Sequence, residues 1–293
     1  MKSDLHSLVT RYFSLFVMVH IVTDSTSDVP PDIARDLNIT VIPAHVIFDG
    51  QSYDDCVTIT REEFYQRLDV VKSLPTTAAP SPGAFAEAYQ RLGGEIISVH
   101  VAGKFSGVLA AALSGAQMVP EAQVTLFDSG SVALGLGWQA ILAARAARDG
   151  QPIDQVIRLL ESIRPRVRVY AALDTMEFLR RSGRVGWAKA MLGQLLSIKP
   201  IVEARDGEVF QIERVRTRRS MIQRLKQMAF DLGPLQTLAV QHTRAYDDAR
   251  AMADEFTTAL PDLREPIVVC EATTAIGTHV GPKGLGVIAV VAE

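Results

Sequence analysis

A chain of 293 residues, 48% of them hydrophobic, is long enough for one large domain or two ordinary ones and apolar enough for a substantial core. Its 30 basic and 33 acidic residues leave a formal net charge of −3, which excludes a whole-molecule attraction to nucleic acid or to an anionic membrane, so partners must be argued from local features. Cys56 and Cys270 lie far apart and lack the clustered spacing of zinc, iron–sulfur or redox motifs; they read as small buried hydrophobes, no metal is expected, and a reducing cytoplasm fits them.

Taken in chain order, the apolar run Tyr12 to Val19 is interrupted by Ser14 and falls short of the roughly 20 residues that span a bilayer. It runs straight into the strand-like Val19 to Thr23 with no small-residue cleavage site, so the natural start is expected at Met18 and residues 1–17 are an extra segment or a mis-assigned start. Asp24 to Asp28 with Pro30 and Pro31 read as a loop opening a helix. Ile39 to Phe48 is predicted as one strand ending at the Asp49-Gly50 turn, followed by a helix from Arg61 to Val71. Thr76 to Gly83 reads as a Thr/Ala/Pro loop, Ala84 to Arg91 as a helix and Glu95 to Val101 as a strand. The alternation continues through a small-residue helix opened by Lys104 to Gly107 and ending at Met118, the strand Val124 to Phe127 and the helix Val132 to Arg148. This is the βαβ pattern of a parallel sheet.

After Gly150-Gln151-Pro152 come a helix from Ile153 to Ile163 and a strand from Arg166 to Leu173, and then hairpin-like strands, Lys199 to Glu203 and Glu208 to Ile212, around Arg205-Asp206-Gly207. The change of pattern places a domain boundary near residue 165. The expected architecture is α/β in two domains: a Rossmann-like parallel sheet with helices on both faces over 18–165, and a mixed α/β domain over 166–293.

There is no Walker A loop and no His-Glu-x-x-His. A Gly-x-Gly-x-x-Ala match at Gly135, Gly137 and Ala140 sits inside a helical run, whereas a dinucleotide loop must lie directly between strand and helix. Ser106 stands between a strand and a helix, yet Lys104 occupies the position that a nucleophile elbow reserves for glycine. It reads either as a plain helix cap or, with the unobstructed backbone of Gly107, as an anion-binding helix start. Thr77 is either a turn threonine or a hydroxyl at the carboxyl edge of the sheet, where open α/β folds bind ligands. His279 lies in a glycine-rich run, Gly277 to Gly286, which would let backbone approach a ligand; a solvent-facing loop histidine is an equal reading. The basic stretches Glu177 to Gly186 and Glu213 to Arg219 are solvated faces or sites for a phosphate or an acidic partner, a task that suits arginine.

The opening Ile21-Val22-Thr23-Asp24-Ser25-Thr26-Ser27-Asp28, Thr77 with Pro80-Ser81-Pro82, Ser106-Gly107, Gly183-Arg184, Val215-Arg216-Thr217 and His279 with Gly281-Pro282 together resemble, in order, the motifs of the DegV family of fatty-acid-binding proteins. The resemblance spans residues 20 to 291. It implies two domains with one long-chain fatty acid between them, its carboxylate held by Thr77, Ser106 and His279, to which the helix start at Gly107 would add backbone donors. It also implies a carrier, not itself catalytic and without a further cofactor, that presents the acid to an ATP-dependent fatty acid kinase for acyl-phosphate formation, with Arg184 and Arg216 in kinase docking or phosphate contact. The chain departs from the family pattern at Ala78-Ala79, Phe105, Val108, Ser182 and Lys283, positions that bear on tail-pocket shape and kinase recognition. Two rival readings stand beside it: an esterase using Ser106 as nucleophile and His279 as base, for which no acidic third member can be named, and a carrier of another amphipathic molecule.

Overall fold

The computed structural model describes residues 18–70, 73–189 and 198–293. Segment 1–17 and Val71, the last residue of one predicted helix, lie outside them. The first half of the chain runs β1 (His20–Asp24), α1 (Pro31–Asp36), β2 (Thr40–Ile42), β3 (His45–Phe48), β4 (Gln51–Asp54), α2 (Arg61–Val70), β5 (Thr76–Ala78), α3 (Pro82–Leu92), β6 (Glu95–His100), α4 (Val108–Met118), β7 (Gln123–Asp128), α5 (Leu134–Arg148) and α6 (Ile153–Ile163). The second half continues β8 (Val167–Ala172), α7 (Glu177–Ser182), α8 (Gly186–Lys189), β9 (Lys199–Arg205), β10 (Glu208–Val215), α9 (Arg218–Phe230), β11 (Leu235–His242), α10 (Tyr246–Ala259), β12 (Val268–Glu271), α11 (Thr274–Val280) and β13 (Leu285–Val291).

The expected α/β fold class is the one adopted. Strands β2-β1-β6-β7 form a parallel sheet flanked by helices, and β10-β9-β8-β13-β11-β12 form a mixed sheet in which only β11 and β12 run parallel. Local chemistry explains the helices. In α6 the buried Val156, Leu160 and Ile163 recur at helical spacing behind Pro152 and the first-turn Asp154. At the start of α3 the Ser81 hydroxyl accepts from Ala84 N at 3.2 Å. The Gly-x-Gly-x-x-Ala match lies inside α5, where its glycines allow close packing: a Cβ on Gly135 would sit 2.4 Å from Val169, and one on Gly137 2.4 Å from the Ser27 carbonyl. No helix among the described residues is long and apolar enough to cross a membrane.

Three expectations are corrected. The strand predicted over Ile39 to Phe48 is two strands in two sheets, because Pro43 has no N–H for a ladder and Ala44 N donates instead to Ser25 Oγ at 3.0 Å. The loop expected at Thr76 begins as strand β5, antiparallel to β3 with Thr77 opposite Val46, so that β4-β3-β5 make a separate small sheet. Its β-branched threonines fit a pleated surface, and Pro75 and Pro80 confine it to a few residues. Both cysteines are free but only half-buried, and burial pushes the Cys56 thiol up to about 12.

The small sheet comes from the first half of the chain but packs with the second: Val46, Phe48, Phe64 and Tyr65 share a core with Phe178 and Ala275. That packing carries Thr77 to the helix that bears His279.

Candidate binding site

At the carboxyl ends of β1 and β6 a buried network sets the backbone. Asp24 accepts from Thr26 N at 3.1 Å, from the Thr26 hydroxyl, from Val101 N at 3.2 Å and from His100 Nδ1 at 3.0 Å. His100 Nε2 lies 2.7 Å from Ser98 Oγ, which lies 2.8 Å from the Tyr89 hydroxyl. The Asp24 carboxylate accepts from His100 Nδ1, and Ser98 Oγ links the other ring nitrogen to the Tyr89 hydroxyl. Ser98, His100 and Asp24 thus repeat the contacts of a hydrolytic triad, but each is 0% exposed, so the set holds strands together and meets no substrate.

Beyond β6 the chain turns through Gly103 to Ser106 into α4. Gly107 is the cap residue, its carbonyl accepting from Ala111 N at 2.9 Å, while Ser106 Oγ accepts from Val108 N at 3.4 Å. A hydroxyl that accepts from the backbone keeps its own proton for another partner. Gly107 has φ −75°, open to any residue, and a Cβ there would meet nothing within 4 Å. Neither strain nor packing asks for glycine at this position.

His279 occupies the last turn of α11, not a loop. The glycines around it serve tertiary packing: a Cβ on Gly277 would come within 2.8 Å of the Tyr65 hydroxyl, and Gly281, at φ +74°, leaves only 2.2 Å to the Phe178 ring. Trans caps hold the helix start, with Asp28 accepting from Thr273 N at 2.6 Å and Asp55 from Thr274 N at 2.8 Å. At the other end His279 Nε2 lies 2.9 Å from Thr77 Oγ1, and His279 Nδ1 is buried with no partner among the described residues. Burial, aided by the Arg184 charge, pushes the imidazole down to about 3, so it is neutral at ordinary pH.

Thr77, Ser106, Gly107, His279 and Arg184 all line one cavity of about 490 Å³. Its walls are otherwise largely apolar. Alternate residues of three strands face it, Val169 and Ala171 of β8, Val202 and Ala204 of β9, and Val209 of β10, with Ile276 and Val280 of α11 opposite. Arg184 is the only formally charged side chain among the described residues of this lining; its Nη1 donates to the Ser182 carbonyl at 2.6 Å. Arg216 is exposed, on the turn between β10 and α9, and is not among the lining residues. Sequence reasoning missed Thr26 and Ser182, which also line the cavity. The opening motif and the departure at Ser182 were the available signals.

The esterase reading finds little here. His279 Nε2 is engaged with Thr77, no carboxylate among the described residues orients its Nδ1, and an imidazole held near pKa 3 is a weak base.

The sequence matches the family described as "Uncharacterised protein, DegV family" over residues 18–292. A DegV domain-containing protein of Streptomyces coelicolor is 34% identical over 276 residues, covering 92% of this chain and 97% of that one. One from Deinococcus radiodurans is 39% identical over 201 residues, 68% of this chain and 71% of that one. Among solved structures, a DegV family protein from Thermus thermophilus described by its fatty acid binding superposes with a TM-score of 0.84 at 31% identity, covering 94% of this chain and all 100% of that one. DegV of Bacillus subtilis, described as a fatty acid binding protein, gives 0.84 at 29% identity, with 94% and 100% covered. With a family match that runs through both large sheets and every cavity residue named above, this chain belongs to the DegV family.

Proposed function

We propose that this protein binds one long-chain fatty acid with its tail in the apolar cavity and its carboxylate at Thr77, Ser106 and the α4 start, and that it acts as a carrier. The observation that carries the reading is one cavity with apolar walls, to which Thr77 and Ser106 bring hydroxyls from distant segments and in which Arg184 is the only formal charge among the described lining residues. An acyl tail gains from leaving water, while a carboxylate must not lose water without hydrogen-bond partners. Burying roughly 14 methylenes at about 0.8 kcal/mol each is worth on the order of 11 kcal/mol before ordering costs, so the tail supplies affinity and the polar groups fix orientation. The descriptions of the Thermus and Bacillus relatives support the same ligand class.

In this reading Arg184 complements the carboxylate charge from the cavity wall, and the exposed Arg216 is left for a partner surface. The partner we propose is an ATP-dependent fatty acid kinase that takes the presented carboxylate to an acyl phosphate, the carrier itself doing no chemistry. The sequence motifs shared with the family support this step.

Native mass spectrometry of gently purified protein tests the binding reading. A non-covalent adduct of fatty-acid mass, removed by organic extraction and restored by added palmitate, is the expected result. Protein that neither carries nor takes up an acyl chain would overturn it.

A further inference from the structure

A second, smaller chamber of about 50 Å³ lies against the main cavity and shares with it Ala133, Val169, Ala171, Ile276 and Val280. Its floor is the mixed sheet, where Ala171 of β8, Gly286 of β13 and Gln241 of β11 are direct partners across neighbouring strands and so present the same face. Ile276 and Val280 stand on either side of His279 in α11, which puts the chamber within about one helical turn of the Thr77–His279 pair.

Gln241, Thr243 and His242 Nδ1, at its edge, are already engaged inside the protein. Gln241 donates to Asp28, Thr243 Oγ1 donates to the Gly281 carbonyl at 2.6 Å and accepts from Gly284 N at 2.7 Å, and His242 Nδ1 accepts from Ala245 N at 3.4 Å. A buried water needs two to four polar partners, and these groups have little left to offer one. An apolar group suits the space. Ala133, which lines both spaces, holds φ +56°, a conformation that favours glycine, so where they meet the chain keeps a strained residue with only a methyl side chain.

We propose that this chamber is a branch subsite, receiving a methyl substituent carried on one of the first few carbons of the bound acid. The proposal rests on the fatty-acid reading and adds to it a ligand class: acids methyl-branched near the carboxyl group, accepted beside straight chains. Gly286 is the residue that keeps the space open.

Gly286→Ala tests it. The added Cβ would meet Tyr170 O at 3.4 Å and Gln241 Cβ at 3.7 Å, ordinary contacts, so the fold has room for it while the chamber loses volume. Hexadecanoic acid and its 2-methyl and 3-methyl derivatives are titrated against delipidated parent and variant, with Ala272→Val, at a residue that lines the chamber and not the main cavity, as a second variant. The parent is expected to bind at least one branched acid nearly as well as the straight one, and each variant to weaken that acid by about 10-fold while holding the straight acid within about two-fold, the scale on which one methyl group is discriminated. Exclusion of both branched acids by the parent, or an equal change for branched and straight acids in both variants, overturns the branch subsite and leaves fatty-acid binding standing. Failure of the parent to bind even hexadecanoic acid overturns both.

Discussion

Thr77 Oγ1 and His279 Nε2 meet at 2.9 Å although 202 positions separate them in the chain, and the contact joins the small sheet to α11 at the edge of the cavity. With His279 neutral, one ring nitrogen carries the proton. Buried N–H groups without an acceptor are rarer than buried acceptors without a donor, and His279 Nδ1 has no partner among the described residues. The tautomer that follows has the proton on Nε2, donating to Thr77, which leaves the threonine hydroxyl proton free to donate to another acceptor.

Thr77→Val keeps the β-branched shape of β5 and removes that hydroxyl. Retention of a bound fatty acid should fall by about 1–3 kcal/mol, as should that of Ser106→Ala; Thr77→Val also leaves the buried His279 Nε2–H without its acceptor and should lower the melting temperature of the delipidated protein, whereas Ser106→Ala should change it little. Dissociation rates measured by transfer of a fluorescent acid to acceptor vesicles check both. Wild-type rates in the two variants would remove the head-group assignment.

Two buried groups give stability an opposed pH dependence. His279 sits at about 3 against an ordinary 6.5 because burial and Arg184 penalise its charged form, so its stabilising contribution is present above pH 6.5 and is lost as pH falls toward 3. Asp28 is raised from 3.8 to about 7, chiefly by burial, so its contribution is present below pH 3.8 and is lost as pH rises through 7. Between about pH 4 and 6.5 the two slopes, each on the order of 1 kcal/mol per pH unit, oppose one another. Urea unfolding at pH 4.5, 5.5 and 6.5 should show His279→Gln gaining stability on acidification relative to the parent, and Asp28→Asn losing it. Parallel curves for all three proteins would show that neither group titrates as assigned.

What the sequence revealed of this site depended on whether the cause was local. The alternation that aims Val169 and Ala171 at the cavity is readable in β8, and so is the Ser81 cap of α3. Thr77 reads as part of a loop because a three-residue strand exists only through its partner β3. His279 reads as loop because Gly277 and Gly281 are explained by Tyr65 and Phe178, far away in the chain. The arginines show the limit of composition: Arg184 and Arg216 both sit in basic stretches and both are exposed, and only the fold puts Arg184 at the cavity and Arg216 away from it.

Glycines separate packing from ligand space. Gly137→Ala drives a Cβ to within 2.4 Å of the Ser27 carbonyl and should destabilise the fold by about 1–3 kcal/mol or more. Gly107→Ala meets nothing within 4 Å and should leave the melting temperature of delipidated protein within a degree or two while weakening fatty-acid retention, because the space it enters adjoins the head group. Thermal denaturation of the delipidated variants, paired with a binding titration, separates the two effects. A destabilised Gly107→Ala protein would place the reason for that glycine in folding.

Arg184 is the cavity's only formal charge among the described lining residues. A cation facing a carboxylate gives a charge-assisted hydrogen bond that an alcohol of the same chain length cannot match, a difference on the order of 1.5–3 kcal/mol. Parent protein should therefore prefer palmitate to hexadecanol by more than about tenfold, and Arg184→Ala should lose most of that preference by weakening the acid while sparing the alcohol. The salt dependence of palmitate binding should flatten in the same variant, since screening acts on the charge that has been removed. Equal losses for acid and alcohol would assign Arg184 to the shape of the wall through its Ser182 contact, and would return the carboxylate to Thr77, Ser106 and the start of α4 alone.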